Sequence, residues 1–92
     1  MVLHVYYTCK PGMAVAFILS LKESGLQEKI RAEDGCLQYD YCLSYEQKDT
    51  VVLLERWQDE AAQAAHMAQP HMEDVRRLKA AYTIDTRLER FA

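Results

Sequence analysis

The hydrophobic pattern changes period several times along the chain, and each change marks an element. Val2 to Cys9 is rich in β-branched and aromatic residues, which predicts a first strand ended by Lys10-Pro11-Gly12. From about Met13 to Arg31 a helix is predicted, with Met13, Phe17, Leu21 and Ile30 among its buried positions and Gly25 as a weak point or bend. Glu33-Asp34-Gly35 reads as a turn into a second strand, Cys36 to Ser44. Gln47-Lys48-Asp49 turns the chain again into a third strand, Thr50 to Trp57. Asp59 is suited to cap an alanine-rich helix carrying Ala61, Ala62, Ala64, Ala65 and Ala68. Pro70 breaks that helix and fits the first turn of the next, which runs to about Tyr82 with His71, Val75, Leu78 and Tyr82 on one stripe. Thr83 to Phe91, with Ile84, Thr86, Leu88 and Arg90 alternating, predicts the last strand.

The order β-α-β-β-α-β predicts an α+β, ferredoxin-like split βαβ arrangement, a four-stranded antiparallel sheet with its helices on one face. In a monomer the other face meets water, and the strands should alternate cleanly. They do not. Val51, Val52, Leu53 and Leu54 are apolar on both faces, while Leu37, Tyr39, Tyr41 and Leu43 form one apolar face of the second strand, with Cys36 and Cys42 on the other. Helices cover only one side, so the expected cover for the second is another copy of the sheet, packed face to face in a homodimer.

Composition narrows the class. With 92 residues, half of them hydrophobic, and only 3 Gly and 2 Pro, the chain suits one globular domain and excludes disorder and low complexity. A net charge of −3 argues against nucleic acid or an anionic membrane as the main partner. No stretch approaches the ~20 apolar residues of a spanning helix, and Met1 to Tyr7 lacks the marks of a targeting leader. Cys9, Cys36 and Cys42, odd in number and without a C-x-x-C pair, suit reduced thiols in a cytoplasmic protein.

Four segments carry a resemblance: Pro11-Gly12, Glu33-Asp34-Gly35-Cys36-Leu37-Gln38-Tyr39, Glu55-Arg56-Trp57-Gln58-Asp59-Glu60-Ala61-Ala62, and Ala65-His66-Met67-Ala68-Gln69-Pro70-His71-Met72. In this order, spanning nearly the whole chain, they resemble the antibiotic biosynthesis monooxygenase family. The resemblance implies a dimeric α+β barrel, an open pocket between sheet and helices in each subunit, and no metal or flavin. Characterised members include oxygenases of quinols and polycyclic phenols, haem-degrading enzymes, and an isomerase-like protein acting on a phosphorylated sugar. The haem-degrading branch relies on a first-strand Asn and a helical Trp. Val2 to Cys9 has no Asn, and His66 stands at the helical Trp position, so that branch does not fit.

The chemistry-bearing candidates follow from residue type and place. His71, in the first turn after Pro70, sits where the helix dipole keeps an imidazole neutral, as suits a general base for a phenol or enol proton; the alternative is a packed histidine bonded to a carbonyl. His66 lies on the preceding helix and either converges with His71 or faces solvent. Their H-x4-H spacing does not place them on one helix face, and no third ligand has recognisable spacing, so no metal site is expected. Glu55 and Trp57 share a strand face, where Trp57 is either a flat wall for an aromatic substrate or a core residue, and where Glu55 could orient a histidine. His4 and Tyr6, with Thr8, make a polar first-strand face expected to line a cavity or rim. Tyr39 and Tyr41 supply either phenol hydrogen bonds or core packing, and Arg76 either attracts an anionic group or is an exposed charge.

The resemblance makes a cofactor-independent monooxygenase the leading expectation. A histidine would deprotonate a small phenolic or quinol-type substrate, and the resulting anion would reduce dioxygen as co-substrate. The alternatives are an isomerase or tautomerase of a small carbonyl compound, and a non-catalytic dimeric module that binds a small ligand.

Overall fold

A computed structural model describes residues 1–91. The elements run β1 (Val2–Cys9), α1 (Ala14–Glu23), α2 (Leu26–Arg31), β2 (Cys36–Leu43), β3 (Thr50–Trp57), α3 (Glu60–Met67), α4 (Met72–Tyr82) and β4 (Thr83–Phe91). The sheet order is β2-β3-β1-β4, with every neighbouring pair antiparallel. This is the ferredoxin-like α+β fold; the helix expected from Met13 to Arg31 is divided in two, and the later pair is separated at Pro70 as expected. Gly25 makes the first division. Its φ of +79° ends α1 and opens α2, a conformation glycine adopts without strain. Pro70 marks the second, between α3 and α4. Asp59 caps α3 by accepting the Ala62 N–H at 2.8 Å.

All the helices contribute apolar residues to one face of the sheet. Leu3, Val5 and Tyr7 of β1 and Val51, Leu53 and Trp57 of β3 meet Phe17 and Leu21 of α1, Ile30 of α2, and Met72 and Val75 of α4. The expected α4 stripe is thereby adjusted: His71 precedes the helix as its N-cap, and Met72 takes the buried place beside Val75. The apolar face expected on β2 also shrinks. An irregularity between Cys36 and Gln38 leaves Leu37 outside the ladder and exposed, and Leu43 is exposed at the strand end, so of that face only Tyr39 and Tyr41 pack inward, joined by Cys36, a residue expected on the other face.

The opposite face carries no helix. There His4 pairs with Leu54, and Tyr6 with Val52, all half-buried. β4, at the sheet edge, exposes Ile84, Leu88 and Phe91.

Candidate active site

The turn between α2 and β2 brings Glu33 under α3. Gly35 makes that approach close. Its φ is +80°, and a Cβ there would lie 2.6 Å from the Ala62 Cβ. The nearly buried Glu33 carboxylate receives two rings. His66 Nδ1 lies 3.1 Å from both of its oxygens, and His71 Nε2 lies 2.7 Å from Oε2. An ionised carboxylate only accepts, so both rings turn an N–H toward it. In the neutral His66 ring the lone pair then resides on Nε2.

His66 is otherwise fixed by aromatic packing. Its ring stacks on Trp57 at 4.6 Å and meets Tyr39 edge-on at 5.5 Å. Trp57 in turn donates its indole N–H to Glu55 Oε1 at 2.9 Å. His66 Nε2 makes no hydrogen bond, yet among the described residues no sealed side-chain nitrogen or oxygen lacks a partner. Nε2 is therefore not wholly sealed, and His66, although 1% exposed, lines the adjoining cavity.

That cavity, of about 220 Å³, lies between the sheet and the α3–α4 pair. Leu3, Val5, Tyr7 and Tyr39 form an apolar floor, with Glu55 at one end beside Leu3. His66, Met72, Val75, Arg76 and Lys79 approach from the helices. Burial pushes the Glu55 carboxyl up from the ordinary carboxylate range, against the pull of the Trp57 hydrogen bond. Burial likewise raises the phenol groups of Tyr7 and Tyr39 well above their usual range.

Among the residues proposed from sequence, His66, Glu55, Tyr39 and Arg76 meet at this cavity. His71 does not line it; it stands behind Glu33, its Nε2 2.7 Å from the carboxylate. Trp57 is fully buried behind His66 and is no wall for a substrate. Glu55 holds Trp57, while the histidines are oriented by Glu33. Tyr41 packs against Phe17 and Tyr39, outside the cavity lining. His4 and Tyr6 lie on the opposite sheet face, because Leu3, Val5 and Tyr7 take the inward positions of the two-residue period. There His4 meets Phe91, and Tyr6 lies under the Arg87 guanidinium at 4.2 Å. Sequence reasoning assigned no role to Glu33 or Lys79. Glu33 stood within a recognised segment but was read only as part of a turn.

The fold and site define a ferredoxin-like α+β protein with a buried carboxylate–histidine pair opening onto a small aromatic-lined cavity. The sequence model of the antibiotic biosynthesis monooxygenase family matches residues 1–78. "Putative monooxygenase YcnE" of Bacillus subtilis is 39% identical over 72 residues, covering 78% of this chain and 74% of that protein. The chain belongs to the antibiotic biosynthesis monooxygenase family. A solved Pseudomonas aeruginosa structure is 30% identical with a TM-score of 0.80, covering 99% of this chain and 93% of its own. A solved antibiotic biosynthesis monooxygenase is 26% identical with a TM-score of 0.82, covering 100% and 97% respectively. No helix among the described residues is long and apolar enough to cross a membrane.

Proposed function

We propose that the protein is a cofactor-independent monooxygenase acting on a small phenolic or quinol-type substrate, with His66 as general base. The observation that carries this reading is the His66 ring, held at Nδ1 by Glu33 and lining the cavity, with Nε2 free of any protein hydrogen bond among the described residues. Nε2 takes the phenolic proton, and Glu33 orients the ring and stabilises the imidazolium that forms. The electron-rich phenolate reduces dioxygen; a hydroquinone and O2 yield a hydroxylated quinone and water, with all electrons supplied by the substrate. An engineered apolar cavity of ~150 Å³ accepts benzene, so about 220 Å³ suits one ring with small substituents. Tyr39, Tyr7 and Val5 supply an apolar floor, and Glu55 offers a hydrogen-bonding group for a second hydroxyl.

The same proposal includes a homodimer through the helix-free sheet face. Tyr6, Val52 and Leu54 lie half-buried there, and Phe91, opposite Val2 and against His4, remains exposed on β4, as expected of surface that awaits a second sheet. The free thiols of Cys9, Cys36 and Cys42 accord with a cytoplasmic setting.

The test is oxygen uptake by metal-free protein across a panel of hydroquinones and polyhydroxylated aromatics, beside His66→Gln. Uptake above autoxidation that is lost in the variant supports the assignment. Undiminished uptake in His66→Gln removes His66 from the reaction. Uptake at background with every substrate, together with anaerobic turnover of a small carbonyl compound, moves the reading to an isomerase.

A further inference from the structure

The end of the cavity remote from His66 has its own chemistry. Met72, Val75, Arg76 and Lys79 project from α4 at spacings of three and four residues, so one helix face carries two apolar groups and then two cations along the cavity. Glu55 stands beside Leu3, whereas the Lys79 ammonium lies over the Tyr7 ring, 5.5 Å from its centroid. Leu3 and Tyr7 are four residues apart on β1, a span of roughly 13 Å. The acidic and basic groups thus stand at opposite ends of an apolar floor.

The two cations differ in their partners. Arg76 is held by Glu73 at 2.8 Å, and the neighbouring Arg77 by Asp74 at 3.3 Å. Lys79 has neither an ion pair nor a side-chain hydrogen bond among the described residues. Both Lys79 and Arg76, with Thr86, also line an adjoining outer groove of about 450 Å³, which places them at the mouth between groove and cavity. Asp85 lines the groove as well but forms no ion pair with Lys79. Burial and the nearby Arg76 charge push the Lys79 pKa down, and the opposite charge of a bound anion would offset both. In a chain whose carboxylates outnumber its cations, a half-buried ammonium left unpaired at a cavity mouth is suited to a charge that arrives with the ligand.

We propose that Lys79, assisted by Arg76, binds a carboxylate substituent of the substrate, so the favoured ligand is a phenol or quinol ring bearing an anionic group that is not adjacent to the hydroxyl presented to His66. This rests on reading the cavity as the substrate site, and not on the reaction performed there.

The experiment is anaerobic isothermal titration of the full chain with 2,5-dihydroxybenzoate and its neutral counterpart, 2,5-dihydroxybenzamide. Wild type should favour the carboxylate by about tenfold or more, as expected for a hydrogen bond to a charged group. Lys79→Met should abolish that preference while retaining the amide affinity, and Lys79→Arg should keep it. Matching thermal unfolding of the variants separates a binding effect from misfolding. Equal affinities in wild type, a preference that survives Lys79→Met, or no binding of the carboxylate at millimolar concentration would overturn the proposal. Oxygen uptake is not read in this assay, so a negative titration leaves the His66 assignment standing, and an inactive oxygen assay leaves the titration interpretable.

Discussion

Gly35→Ala should damage the site through the backbone alone. Gly35 has a φ of +80°, and an L-residue forced into this left-handed region costs ~1–2 kcal/mol. The added methyl would also sit 2.6 Å from the Ala62 Cβ, well inside the ~3.5–4.0 Å of favourable carbon–carbon contact. Ala62 has no rotamer with which to retreat, so α3 itself must move; overpacking of this kind costs ~1–3 kcal/mol. The sum, ~2–5 kcal/mol, corresponds to a fall in Tm of about 10 °C or more for a domain of this size. Because α3 carries His66, the same movement lengthens its contact with Glu33 and lowers activity in the surviving folded protein.

Urea unfolding of wild type, Gly35→Ala, Ala62→Gly and the double variant, at one protein concentration, separates the two contributions. Ala62→Gly alone should cost ~1 kcal/mol in helix propensity. In the double variant the clash disappears while the φ cost remains. It should therefore be ~1–3 kcal/mol more stable than the sum of the single effects predicts. A double variant equal to that sum would refute the argument from close approach.

Glu33→Gln should approach His66→Gln in its loss of turnover, about 10²-fold or more, whereas His71→Gln should cost less, since His71 reaches the cavity only through Glu33; steady-state oxygen uptake ranks the three. Glu55 gives a stability prediction with a definite sign. Its folded-state pKa is raised by burial, so above the ordinary value of 4.5 the native state holds a proton that the unfolded chain releases, and stability falls as pH rises through that window. Glu55→Gln, which still accepts from Trp57, should remove this loss, and a wild-type-to-variant gap independent of pH in denaturant melts would contradict it. Leu54→Glu, on the helix-free face, should convert the proposed dimer to a monomer in sedimentation analysis, and a wild-type monomer at micromolar concentration would dispose of the dimer itself.

The fold was largely legible because its signals are local. A strand is written in Val2–Cys9 by its β-branched and aromatic content, and helix starts and stops by Asp59, Pro70 and Gly25. The wrong faces arose where a local pattern did not say which side the helices would cover. His4 and Tyr6 alternate with Leu3, Val5 and Tyr7 in either case, and only packing of α1 and α4 decides that the second set turns inward. The site was legible as residue types, not as an arrangement. His66 and His71 lie five positions apart across a helix break, whose geometry no period describes, while Glu33 stands more than thirty residues upstream of either. The sequence by itself determined the element order, the family and the presence of histidines near a break. Tertiary structure alone decided which ring faces the cavity, because that depends on Gly35 letting α3 settle against the turn that carries Glu33. It likewise placed Lys79 over Tyr7 at the cavity mouth, a contact made by two elements distant in the chain.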